Sequence, residues 1–387
     1  MSQTRRFTHP VAWAALFSGA LLPGCTTGSA PTGAGTGTGT AQQGVEVCPT
    51  TPAPALFKNA LCVCDDLHLV GASVSTHQTG SSAASIGVNG NAYLVGENNV
   101  AGDFTARGGI SGVGNLKTSG DIRTAGLFAA VGSIHSGHDL FIGGDLSKVG
   151  ELIVDGLLRL AGADMEVGDR TIAGTGAYSA VAAPCGCDAA TMLDIGKAVA
   201  EAKAKNDNDN IGLSSLVQVI GDETIELPTG IYYLDSMKSV GAHKVHVAGA
   251  VALYVAGDIE AVGEQTFALA DGASLDLYVS GSVRTVGALE LGNAANPSLF
   301  RLYVGGTDTM IASVGQQQLN GLIYAPQAAI RWVGDTHVRG AVFAKELEGV
   351  GTLDISYDGG SLSQPSVCNP KTTVPAPGSD QPAFSIL

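Results

Sequence analysis

Val95-Gly96, Val113-Gly114, Val131-Gly132, Val149-Gly150 and Val167-Gly168 follow one another at a constant interval of 18 residues. A second pair of landmarks, Gly102-Asp103 and Gly120-Asp121, keeps the same step. A fixed short period marks a solenoid, in which each repeat is one unit that buries its apolar side against its neighbours. Eighteen residues make one coil of three short strands and three corners. Between the landmarks, Val100, Phe104, Ile110 and Leu116, then Ile122, Phe128 and Ile134, form rows that such a coil turns inward at alternate strand positions. Glycine suits corners where φ is positive, and Asp or Asn tolerates the same conformation. The expected fold is all-β, a right-handed parallel β-helix with 18-residue coils, interrupted by one amphipathic helix.

Composition supports this reading. With 54 glycines, 14% charged and 5% aromatic residues, the chain suits neither a helical bundle nor a typical α/β enzyme. The net charge of −15 excludes nucleic acid as a partner, because no basic patch is available to neutralise phosphates.

The second half repeats the unit with looser spacing. Val255-Ala-Gly-Asp-Ile-Glu-Ala-Val-Gly263 and Val279-Ser-Gly-Ser-Val-Arg-Thr-Val-Gly287 share a pattern with Ile142-Gly-Gly-Asp-Leu-Ser-Lys-Val-Gly150. Leu275–Val279 and Leu299–Val304 alternate as half-buried strands do. Between the halves, from Pro184 to Pro228, the period is lost. There Asp188 is placed to cap a helix over Ala189–Lys205, with Met192, Ile195 and Val199 on one face. That helix is expected to cover an open coil end, since bare β edges invite aggregation. The following Asn206–Asn210 run lacks the glycine and distal Glu of a calcium loop and reads as a solvated helix end.

The N-terminus carries an address. Arg5 and Arg6 precede an apolar run, Val11–Leu22, that is too short to span a bilayer and reads as a signal-peptide core. It ends in Leu22-Pro23-Gly24-Cys25, which resembles the lipobox of bacterial lipoproteins; Pro23 is a mild departure from its pattern. The resemblance implies lipid modification of Cys25, anchorage in the bacterial cell envelope at the outer membrane, and the membrane as a partner. Two or more acyl chains hold a protein stably. Thr26–Gly44 is uncharged and made of small residues, a flexible tether. The expected organisation is a signal peptide over 1–24, a tether over 25–47, a first β-helix segment over 48–184, helix and linker over 185–224, a second segment over 225–360, and a disordered tail over 361–387.

Six further cysteines, Cys48, Cys62, Cys64, Cys185, Cys187 and Cys368, sit at segment boundaries. An even number in an exported chain points to disulfides, placed here as staples for the ends of an elongated fold. The working assignment joins Cys62 and Cys64 with Cys185 and Cys187, and Cys48 with Cys368. The rival reading takes the two C-x-C-D motifs, Cys62–Asp65 and Cys185–Asp188, as four thiolates for zinc or copper, but structural zinc sites favour C-x₂-C. No metal or cofactor is assigned.

Two further resemblances concern the body. Ile225–Leu234, Val255–Asp258, Gly321-Leu-Ile-Tyr-Ala-Pro326 and Gly340-Ala-Val-Phe-Ala-Lys345 resemble an uncharacterised β-helical domain of bacterial surface and pilus-associated proteins. The first half is similar to the bactofilin type of polymer-forming β-helix, a likeness that implies shape rather than task. Neither brings catalytic residues.

No catalytic set stands out. Asp103, Asp121, Asp145 and Asp258 lie beside glycines at corners, where a turn role suffices, and His135 and His138 form the closest histidine pair without metal spacing. Arg331-Trp332, in a strand between Pro326 and Gly334, is the candidate contact for a sugar ring or a protein partner, set against the favoured reading that it lies over a solenoid end or pads a loop. The leading expectation is a non-catalytic structural or adhesive rod presenting a face to an envelope protein, a polysaccharide or copies of itself. The rival is a carbohydrate-binding or carbohydrate-active β-helix; three or more acidic or basic side chains converging within ~6 Å in a groove would favour the enzyme.

Overall fold

The computed structural model describes residues 57–79, 82–306, 310–357 and 359. The expected signal peptide, Cys25, tether, Cys48, Cys368 and tail lie outside the described residues. The described part falls within one unit, Val45–Leu387, and forms a parallel β-solenoid of about 13 turns.

One coil shows how the sequence builds the rest. Ala92–Val100 runs along two faces and bends between them at Gly96, where φ is 120°. Phe104–Ala106 then forms the third face. The next coil repeats this 18 residues on, with Ala92 against Ile110, Gly96 against Gly114, Val100 against Thr118 and Phe104 against Ile122. The seven apolar residues named above as inward-facing are all buried. The faces are called first (Ala92–Val95 and its equivalents), second (Glu97–Val100) and third (Phe104–Ala106).

Corner aspartates hold successive coils together. Asp103 Oδ1 accepts the Asp121 N–H, Asp121 Oδ1 the Asp139 N–H, and Asp139 Oδ1 the Leu157 N–H, each at 2.8 Å. Asp145 and Asp258 take the Ala163 and Ser282 N–H groups in the same manner. The Leu157 N–H, with Arg159 beside it, holds the Asp139 carboxyl below the usual carboxylate range. These acids work as corner ties.

The coils do not stack in chain order. Leu61–Val63 pairs on one side with Ile86–Val88 and on the other with Val342–Ala344. Leu67–Gln78 likewise lies between Ala92–Val100 and Thr336–Tyr357. The first coil of the chain therefore rests on the last, and the two halves form one continuous solenoid. Its ends are Arg170–Thr175 and the coil that starts at Leu216–Ile220. Joining the halves this way buries one open β edge of each.

The linker between the halves must consequently return along the rod. It does so over the third face, and this corrects two expectations. In place of one helix over Ala189–Lys205 there is a 3₁₀ turn, Ala189–Thr191, capped by Asp188, and then a separate helix α1, Ile195–Ala202. The Asp194 carboxylate takes the Lys197 N–H at 2.9 Å and starts α1 afresh, which leaves Met192 outside it. Nor does α1 cover a coil end. Its buried Ile195, Val199 and Ala202 lie along the rod, with α1 packed against Gly230–Leu234, Ala250–Val255 and Ser274–Val279.

What α1 covers explains its position. Tyr233, Tyr254, Tyr278, Tyr303, Tyr324 and Phe343 occupy one outward column of the third face, in register on successive coils. Rings stack at 4.7 Å (Tyr254–Tyr278) and 4.5 Å (Tyr278–Tyr303). All six are buried although they point out of the coil. The linker thus closes a second apolar layer, and Leu193 donates its N–H to the Tyr324 hydroxyl at 3.2 Å. Beside the column, Arg301 and Asp276 form a buried ion pair, with Arg301 Nη2 3.0 Å from Asp276 Oδ2.

Burial, reinforced by the Asp276 charge, pushes the Tyr254 hydroxyl up to about 12 and raises Tyr278 and Tyr303 as well. A free tyrosine ionises near pH ~10. A group whose folded pKa is raised stabilises the fold fully below its unfolded pKa, and that contribution is lost as pH rises through the folded value. Stability is therefore expected to fall between about pH 10 and pH 12. Absorbance titration at ~295 nm against circular dichroism checks this: column tyrosines that ionise near pH ~10 with the fold intact would refute the buried column.

Candidate functional site

The Val-Gly repeat has an orientation the sequence reading did not assign. Ile220, Val240, Val262, Val286, Val314, Val333, Val350, Val70, Val95, Val113, Val131, Val149 and Val167 are successive register partners in one ladder along the whole rod. Its thirteen rungs, at ~4.8 Å each, extend over about 58 Å. Wherever the side chain is described it points outward. Nine of these valines are 42–54% exposed and Ile220 is 91% exposed. Each is followed by a glycine with φ between 96° and 151°, which turns the chain from the first face to the second. The signal lay in the sequence: inward positions accept Ile, Leu, Phe or Ala, whereas the ridge is Val in twelve of its thirteen rungs.

Beside the ridge runs the second outward column of the first face. It carries Lys238, Glu260, Arg284, Arg331 and Glu348 in the second half, and His68, Tyr93, Ser111, Ala129, Ser147 and Met165 in the first. Its charges pair with one another: Lys238 with Glu260 at 2.8 Å, Arg331 with Glu348 at 3.0 Å.

Arg331 and Trp332 do not form a joint contact surface. Neighbours in a strand face opposite ways. Arg331 points out and binds Glu348, while Trp332 is 3% exposed inside the coil. The indole fills the interior beside Leu302 and Ile323.

Cys62 is bonded to Cys185 and Cys64 to Cys187. The four sulfurs of the C-x-C-D motifs thus hold one another. They fasten the returning linker midway along the rod, at the coil where the two halves meet, and do not staple its ends. His135 pairs with Asp155 at 3.0 Å, and His138 is exposed at a corner.

One cleft of about 460 Å³ lies on the third face of the first half, roofed by linker residues 179–184. In it Arg123 reaches Asp103 at 3.3 Å and also contacts Asp121. Its guanidinium lies 5.1 Å from the Phe141 ring, with Arg159 5.3 Å away on the same ring. Of these charged residues Asp103 and Arg123 line the cleft together with Lys58, while Asp121 holds Arg123 from outside the lining.

Residues 187–362 match the model of a domain of unknown function (DUF7305). That span starts at Cys187 and takes in α1 together with the second-half coils that α1 covers. No curated protein matches the sequence. Among solved structures, an ice binding protein from an Antarctic Biological Consortium is similar at 10% identity, over 83% of this chain and 96% of its own, with a TM-score of 0.28. A second, an ice binding protein from an Antarctic bacterium Flavobacteriaceae, is similar at 12% identity over 80% and 97%, with a TM-score of 0.16.

Proposed function

We propose that the chain is a lipid-anchored, non-catalytic protein of the bacterial outer membrane whose rod binds a second copy of itself through the valine ridge. The observation that carries this reading is the continuous Val ladder, ten of whose thirteen positions are exposed, on a face that the linker leaves bare. Contiguous exposed apolar surface on this scale marks an interaction site. Charge supports a like partner. Copies with a net charge of −15 repel, yet the charged residues of the column beside the ridge are three basic and two acidic, so the acidic excess lies elsewhere. Area supports it too: about 58 Å by ~13 Å from each copy gives ~1,500 Å² in total, the size of a specific interface.

Light scattering on the full lipidated chain in mild detergent tests the proposal. The wild type is expected to be dimeric and Val113→Lys/Val131→Lys monomeric, with melting unchanged because exposed substitutions cost within about 0.5 kcal/mol. Equal masses for the two would overturn the ridge. Cys25→Ser is expected to move the protein from the membrane to the soluble fraction; retention in the membrane would overturn the anchor.

The regularity of the ladder favours a second reading. A rigid apolar array with a constant step of ~4.8 Å suits adsorption to an ordered solid such as ice. Thermal hysteresis by the wild type, lost in the same double variant, would favour it over self-association.

A further inference from the structure

The linker crosses the first half as a strap held at both ends. At one end the Gly176 N–H bonds to the Leu158 carbonyl at 3.0 Å, and Arg159 Nη1 donates to the Ala177 carbonyl at 3.1 Å. At the other, Cys185 is bonded to Cys62, and Asn89 pairs with both its N–H and its carbonyl, at 3.1 and 3.0 Å. Tyr178 packs its hydroxyl end against Gly143, and among the described residues no hydrogen bond joins 179–183 to the coils beneath. Residues 179–184 therefore stand off the face and roof the cleft of about 460 Å³. That volume falls in the range of small-ligand sites, about 300–1,000 Å³.

The floor is built for a ligand without net charge. Thr105, Arg123 and Phe141 stack in register on three successive coils. Arg123 is fixed from two sides, by the carboxylates of Asp103 and Asp121 and by the Phe141 ring. Lys58, Asp103 and Arg123 are the charged residues of the lining, and Asp121, outside it, offsets Arg123. Neither sign of charge dominates once Asp121 is counted, whereas a polyhydroxyl ligand meets donors and acceptors held in fixed positions. Planar carboxylate and guanidinium groups both make bidentate hydrogen bonds, which suits adjacent hydroxyls. The roof adds apolar surface from Ala182 and Pro184. From the coil of Ser85 to that of Phe141 the cleft spans four coils, about 14 Å, and runs along the rod.

We propose that this cleft binds a short neutral oligosaccharide, lying along the rod between the strap and the Thr105–Arg123–Phe141 column. The site is separate from the valine ridge, on a different face, and stands or falls without it. Its acids are committed to corner N–H groups and to Arg123, so it binds and does not hydrolyse.

Calorimetry on the full chain tests this with three neutral probes, the β-1,4-linked glucose, β-1,4-linked N-acetylglucosamine and α-1,4-linked glucose hexamers, and one charged probe, the galacturonic acid hexamer. At least one neutral hexamer is expected to bind with a Kd of about 1 mM or tighter. Thr105→Trp, which fills the floor from an outward position, is expected to weaken it at least about tenfold. Ala182→Trp does the same from the exposed strap and serves should the floor variant fail to fold. Val113→Lys leaves sugar binding unchanged. The proposal is overturned if no neutral hexamer binds, if both tryptophan variants bind like wild type, or if the galacturonic acid hexamer binds best.

Discussion

Replacing Gly114 by alanine is expected to destabilise the solenoid by about 4 kcal/mol or more, whereas Gly272→Ala costs only about 1–2 kcal/mol. Both glycines have positive φ, 125° and 74°, so both substitutions carry backbone strain. They differ in what a methyl group would meet. At Gly114 a Cβ would stand 2.0 Å from the Gly96 carbonyl oxygen, an atom locked in the ladder between coils. At Gly272 nothing lies within 4 Å. The Gly96 carbonyl can retreat only if the two coils part, which strains the pairing along both faces. The same approach recurs at Gly287, 2.0 Å from the Gly263 carbonyl. Urea denaturation of the two variants against wild type decides the matter; equal losses would mean that the corner glycines serve conformation alone and not close stacking.

Changing Cys62, Cys64, Cys185 and Cys187 together to serine is the second large effect. Each disulfide closes a loop of 123 residues. Chain entropy assigns ~4.7 kcal/mol to a crosslink closing a loop of about 100 residues. The two bonds close nearly the same loop, so the pair is expected to contribute about 5 kcal/mol in all, and either alone most of it. The loss has a place. Freed linker no longer holds α1 over the tyrosine column, and protease sites between 176 and 214 open first. The coils keep their parallel pairing, so far-UV circular dichroism changes little below the melting transition. Cleavage that begins within the coils, or single-pair variants as unstable as the quadruple one, would contradict this account.

Much of the coil was legible before any coordinates. A strict 18-residue step sets the length of each coil, and alternation within each short strand assigns Val100, Phe104, Ile110 and their equivalents to the interior. The corner position of Asp103, Asp121, Asp145 and Asp258 was legible from the adjoining glycines, but the N–H each one takes lies on the next coil, which only the stacking supplies. Trp332 marks where reading stopped short. It precedes ridge residue Val333, and once the ridge is known to face outward, strand parity places the indole inside. The carbohydrate cleft had no comparable signal, because Lys58, Asp103, Arg123 and the strap are brought together only by the path of the linker.

The Val-Gly step by itself determined the repeat unit, its strands and its inward rows, because these depend on neighbours a few residues apart or one coil away. Only the tertiary structure decided that the first coil rests on the last, that α1 runs along the rod, and that the disulfides clasp its middle. The physical reason is that each coil offers two equivalent edges, and period alone does not say which edge meets which. The long-range gain decides it: stacking the halves hides two open edges, and the return path this imposes carries an amphipathic helix over six aromatic rings that would otherwise face water.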